Sequence, residues 1–242
     1  MGINWNGVYV WAVIALSVVA AGGMYRNGVE KTLPTILVAV STAAVLDVLI
    51  EKLFGKKWAF PYSGIISGLI VGSIVSFEDP LYVPLAAAAI TIVSKHILKY
   101  RSYHIFNPAS FGLLVTFILF YKSDSWWAAV PALIPFLVII SWKIRRLWIS
   151  LPFLLAFVLL TYSTNNLRLQ TFADALSLPY YFAFIMAVEP KTTPSIRNQQ
   201  ILFGISLAVL VFLLNFVMKA PYAIFISLLA MNLLYFVYRI RK

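Results

Sequence analysis

The chain of 242 residues contains no cysteine, only two histidines (His96 and His104) and eight acidic residues. Without thiols it has no disulfides, thiolate metal sites or iron–sulfur ligands. Two histidines make a bis-histidine haem or a His-rich metal site improbable, so no metal-ligand set is assigned. Charge of either sign is scarce: 11% of residues are Asp, Glu, Lys or Arg, against about 25% in a soluble domain. Apolar residues fill the space, at 62% of the chain with mean hydropathy +0.91. A soluble core of this size cannot hide so much apolar surface, and the composition specifies a polytopic membrane protein. Its chemistry therefore requires a bound cofactor or a translocated solute.

The formal net charge is +11, but the basic residues lie in short clusters between apolar runs. That is the pattern of membrane orientation, not of a polyanion-binding face, so the partner is a lipid bilayer rather than nucleic acid. Apolar runs fall at 7–23, 33–50, 61–77, 81–98, 107–121, 126–142, 147–162, 172–188, 199–218 and 221–238. Several sit at the lower end of the ~17–25 residues that a spanning helix needs. The expectation is an all-α protein of about ten membrane segments, with eight full spans and two partial ones close behind. The first run has no basic n-region before it and no small-residue cleavage site after it, so it reads as a retained span.

Placing both termini in the cytoplasm puts 14 of the 19 Lys and Arg residues inside. The five left outside are Arg26, Lys31, Lys122, Arg168 and Lys219. The positive-inside rule then predicts a multi-pass protein of the cell membrane with an even number of crossings. Residues 1–242 read as one integral membrane domain with two pseudo-repeats, 7–121 and 126–238. Five segments per half make the second half inverted. The third segment of each half is short and proline-interrupted: one follows Phe60-Pro61 and ends at Glu78-Asp79-Pro80, and the other holds Leu178-Pro179 and ends at Glu189-Pro190. Paired broken helices point to a midplane site in transporters.

Particular residues carry the candidate chemistry. Gly64, Gly68 and Gly72 recur every four residues, the spacing that lets a neighbouring helix approach closely. Asn107-Pro108 reads as N-cap and first helical residue, whose free amides can hold an anion or a carbonyl oxygen. In Glu189-Pro190-Lys191-Thr192-Thr193-Pro194 the two prolines forbid regular helix and predict an extended stretch, which at membrane depth must be buried or line a cavity. Asp47 lies one turn deeper than the interfacial Glu51 and is the candidate for an ion pathway. Asp174 lies at the edge of an outer loop. Lys95 and His96 read as a snorkelling lysine beside a polar histidine. Asn215 and Asn232 read as interhelical hydrogen-bond partners. Trp126, Trp127, Trp142 and Trp148 read as interfacial belts.

Three segments carry a resemblance. Phe60-Pro61-Tyr62-Ser63-Gly64-Ile65-Ile66-Ser67-Gly68-Leu69, His104-Ile105-Phe106-Asn107-Pro108-Ala109, and Ala183 to Pro194 followed by Gln200-Ile201-Leu202-Phe203-Gly204 stand in one order along the chain. They resemble motifs of two related membrane proteins, RnfD of the Rnf electron-transport complex and NqrB of the Na⁺-translocating NADH:quinone reductase, over about residues 33–238. The resemblance implies an inverted-repeat fold of the urea-transporter type. It further implies a membrane component of a flavin-dependent electron-transport system coupled to cation movement, with redox partner subunits. Carried over, the motifs place flavin contacts at Asn107, Pro108, Thr192, Thr193 and Pro194, with the Glu189 carboxylate beside them.

The chain also departs from that family. The Asp-x-x-Ser-Gly-Ala-Thr motif that carries covalent FMN is missing, and the corresponding loop, Asn165 to Ser177, holds Thr171 and Asp174 in the wrong order. The stretch around the family's Gly-Glu-Thr-Ser segment is missing too. Any FMN or riboflavin is then bound non-covalently. Two other readings stand beside this one: a small-solute or ion transporter with a broken-helix site and no redox step, and a membrane anchor for separate redox proteins.

Overall fold

The computed structural model describes residues 5–55, 58–101, 103–163 and 180–241. Nine α-helices appear among them: α1 Trp5–Asn27, α2 Val29–Leu53, α3 Tyr62–Ile74, α4 Tyr82–Ile97, α5 Pro108–Phe120, α6 Ile134–Lys143, α7 Leu147–Ser163, α8 Arg197–Phe212 and α9 Ala223–Ile240. Two five-residue π-helical segments, Phe182–Met186 and Leu213–Val217, and a short 3-10 turn, Pro131–Leu133, join them among the described residues. The eighth apolar run lies largely outside the described residues, as do Thr171, Asp174 and the loop around them.

Among the described residues, four helical stretches are long and apolar enough to cross a bilayer: Gly7–Asn27, Val29–Leu53, Arg197–Val217 and Ala223–Ile240. Five more are apolar but shorter. The helices α3 and α5 have 13 residues each. At about 1.5 Å per residue they reach about 20 Å, short of the ~30 Å hydrocarbon thickness.

The chain divides into two compact units, Met1–Lys99 with Pro108–Phe136, and Tyr100–Asn107 with Leu137–Lys242. In the first, α2 shows how a helix packs when the solvent outside is apolar. Its buried side is Thr32, Thr35, Ile36, Ala39, Ala43 and Asp47, while Leu37, Val45 and Leu49 are exposed. Small and polar residues face protein because lipid offers leucine as good a home as the interior does. The glycine stripe of α3 meets that buried side. A Cβ at Gly68 would lie 2.5 Å from Val40 Cα and 2.8 Å from the Ala39 carbonyl oxygen, and one at Gly64 would lie 2.9 Å from Asp47 Cβ. The backbones are as close as the spacing predicts.

Beyond α3 the chain turns, leaving the helix end to be satisfied from elsewhere. Trp127 Nε1 donates to the carbonyls of Gly72 and Val75, both at 3.0 Å, and the Ser125 amide donates to Ile74. Trp126 and Trp127 are both buried. This corrects the belt reading for that pair, because Trp127 fills the carbonyl end of α3. Trp142 and Trp148 are exposed.

In the second unit α7 and α8 pack through Gly204, whose missing side chain lets the Ile149 carbonyl oxygen approach. The π segment Phe182–Met186 is buried throughout. Its irregular carbonyls are taken up by side chains: Ser150 Oγ donates to Ala183 O and Ser141 Oγ to Phe184 O, both at 2.7 Å. Irregular backbone in an apolar setting persists only with such partners.

Candidate functional site

The residues singled out at Asn107 and at 189–194 come together in the second unit. Asn107 immediately precedes Pro108, the first residue of α5. Its carboxamide Nδ2 donates to the Met186 carbonyl at 2.9 Å, the last residue of the π segment. Its backbone N–H donates to Asn232 Oδ1 of α9, also at 2.9 Å. Asn232 Nδ2 in turn donates to the Thr192 carbonyl at 3.4 Å. Asn107, Asn232, Thr192 and Thr193 are all at least 96% buried.

The segment between the prolines is a tight turn rather than the extended stretch expected from them. The Glu189 carbonyl accepts from the Thr192 amide at 3.2 Å and from Thr193 Oγ1 at 2.7 Å. Proline excludes helix, but neighbouring hydroxyls satisfy the carbonyl locally and so favour a turn. The Glu189 carboxylate lies 2.8 Å from His104 Nδ1. Nothing in the spacing foretold that pairing, since the two residues are 85 positions apart.

A second polar cluster lies in the first unit. Lys95 Nζ of α4 donates to both carboxylate oxygens of Asp47 in α2, at 2.9 and 3.0 Å. His96 Nε2 lies 2.8 Å from Asp47 Oδ1. All three side chains are more than 90% buried. The snorkelling reading of Lys95 is therefore corrected. A carboxylate on the facing helix holds the ammonium inside, and a buried pair with this geometry offsets the desolvation that would otherwise drive the lysine outward. Asp47 and Glu51 share a helix face, yet only Asp47 is buried. No cluster of three or more acidic, His or Cys side chains able to hold a metal occurs among the described residues.

The sequence matches the model of the NQR2, RnfD, RnfE family over residues 2–132, just over half of the chain. The chain belongs to that family. The four long apolar helices and five shorter ones among its described residues, with its family, make it a multi-pass membrane protein, and its family is that of membrane subunits of the Rnf and Nqr electron-transport complexes. No curated protein matches the sequence. The family match covers α1 to α5, including Asp47, Lys95 and Asn107-Pro108, whereas the Glu189–Pro194 turn lies beyond it.

Proposed function

We propose that this protein is the membrane subunit of a flavin-dependent electron-transport system coupled to cation translocation, with FMN or riboflavin bound non-covalently. Family membership carries this reading. Flavin supplies the redox chemistry, and the protein supplies position and electrostatics.

The donor set around Asn107 has the right chemistry for a flavin's polar edge. Amide and hydroxyl donors of Asn107, Thr192 and Thr193, with the Glu189 carboxylate beside them, match its carbonyl and imide groups. These groups now bond within the protein, Asn107 to Met186 and Asn232, and the two threonines to Glu189, so binding would exchange internal bonds for bonds to the ring. Pro108 and Pro194 would fix the backbone on either side. The buried surroundings exclude water and strengthen each polar contact.

Asp47 is the proposed ion-pathway residue. With Lys95 already bonded to both its oxygens, a passing cation would compete with an internal ammonium. We further infer that the two halves, 7–121 and 126–238, are inverted repeats, supported by odd segment numbers and short third segments. Both termini are proposed to lie on the cytoplasmic side of the cell membrane, as the 14-to-5 distribution of basic residues supports. Other members of the complex would provide the electron donor and acceptor.

The deciding experiment is an absorption spectrum of gently purified full-length protein. A yellow preparation with about one flavin per chain is expected. Colourless, fully stable protein that takes up no added FMN or riboflavin overturns the flavin reading.

A further inference from the structure

Arg146, in the turn between α6 and α7, is 94% buried. Its Nη2 donates to Ser195 Oγ at 3.1 Å and its Nη1 to the Arg145 carbonyl at 3.4 Å, while Nε has no partner. Among the described residues no carboxylate pairs with it. The second unit offers little else: nine of its described residues are Lys or Arg, and its one described carboxylate, Glu189, is held by His104. Burial pushes the guanidinium's pKa below its ordinary value, with the nearby Tyr235 opposing. Arginine nonetheless stays charged in proteins.

A buried, uncompensated cation is costly, and the surroundings add to the positive potential. Ser195 lies two residues before α8, a 16-residue helix with no acidic residue in its first turn and no side-chain cap. That helix end carries partial positive charge and free amides. Gln200, 98% buried in the second turn of α8, donates to the carbonyls of Arg145 and Ser195, and its Oε1 has no partner. One buried donor and one buried acceptor, both tied to Arg145 and Ser195, are thus left unfilled at the same place.

We propose that Arg146, Ser195 and the first turn of α8 bind a phosphoryl group that also bears a hydroxyl. The planar guanidinium fork matches phosphate oxygens, the helix end favours an anion, and Gln200 Oε1 accepts from the hydroxyl. Two sources share this chemistry, a glycerol-type phospholipid headgroup and free hydrogen phosphate. The exposed Trp142 and Trp148 on the flanking helices are the residue type that settles at headgroup depth. The proposal is independent of the flavin reading, because it uses none of the Asn107 cluster.

The test uses delipidated full-length protein in neutral detergent, with thermal unfolding followed at constant ionic strength. The probes are dihexanoyl-phosphatidylglycerol and inorganic phosphate. Binding is expected to raise the melting temperature by about 5 °C at saturation. A rise with both probes assigns recognition to the phosphoryl group itself, and a rise with the lipid alone assigns the site to a headgroup. Arg146→Gln should abolish the rise; if it does not fold, Arg146→Lys and Ser195→Ala should each weaken binding about tenfold. No rise with either probe, or an undiminished rise in the variants, overturns the proposal and leaves the niche to a bridging water.

Discussion

Asn107 and Asn232 stand 125 residues apart and are joined by the backbone N–H of one and the side-chain oxygen of the other. This bond ties the residue before Pro108 to the middle of α9. Asn232 simultaneously binds the Thr192 carbonyl, so one buried carboxamide holds both segments that the sequence motifs mark.

Replacing Asn232 with Ala strands a buried amide and a buried carbonyl. The expected cost is about 1–3 kcal/mol per orphaned group, read as a lower melting temperature in detergent. Asn232→Asp should cost at least as much, because it buries an uncompensated carboxylate and sets an oxygen where the Thr192 carbonyl now accepts a donor. Equal stability of Asn232→Ala and the wild type would show that the bond is not a tie.

If flavin exchanges into this network, Asn107→Ala and Thr193→Ala should each weaken its binding about tenfold, the equivalent of one hydrogen bond. Flavin content after purification and titration with FMN measure this. Unchanged affinity in both folded variants removes the proposed site.

The Asp47–Lys95 pair predicts a strong asymmetry between single and double variants. Asp47→Asn or Lys95→Met alone leaves a buried charge or its polar remnant unpaired, with an expected loss of about 3–5 kcal/mol, whereas changing both should recover much of it. A double-mutant cycle in thermal unfolding gives the coupling. In reconstituted complex, Asp47→Asn should also impair cation flux, and normal flux would exclude it from the pathway.

Gly68→Ala places a methyl against the backbone of α2, where neither Val40 Cα nor the Ala39 carbonyl can move aside. Overpacking of this kind costs about 1–3 kcal/mol. Ser41→Ala, on the exposed side of α2, is the control and should change stability little. A wild-type melting temperature for Gly68→Ala would mean that α2 and α3 are not held so closely.

The lack of cysteine makes the orientation directly measurable. Lys122→Cys and Lys219→Cys should each react with a membrane-impermeant maleimide in intact cells. Lys143→Cys and Arg241→Cys should react only after the membrane is opened. The opposite pattern reverses the proposed topology.

How much of this was legible beforehand depends on how local the signal is. Hydropathy placed the apolar runs, because a membrane span is written in about 20 consecutive residues. The glycine interval of α3 announced its close packing, since one helix face repeats every three to four residues. Asn232 was readable as a bonding partner, because a buried carboxamide in an apolar helix needs one, whereas Asn215, read the same way, is exposed. These features belong to single segments, and the amino-acid order alone settles them.

Other features arise only when segments are brought together. Lys95 looked like an interfacial lysine until α4 set it against Asp47, 48 residues away. Trp127 looked like a belt residue until the loop after α5 folded it onto the end of α3. Arg146 looked like one basic residue among many until the turn before α7 enclosed it. Whether a polar group meets lipid, water or a counter-charge is decided by its neighbours in space. Local sequence sets each group's demand for a partner, and only the tertiary arrangement determines which residue answers it.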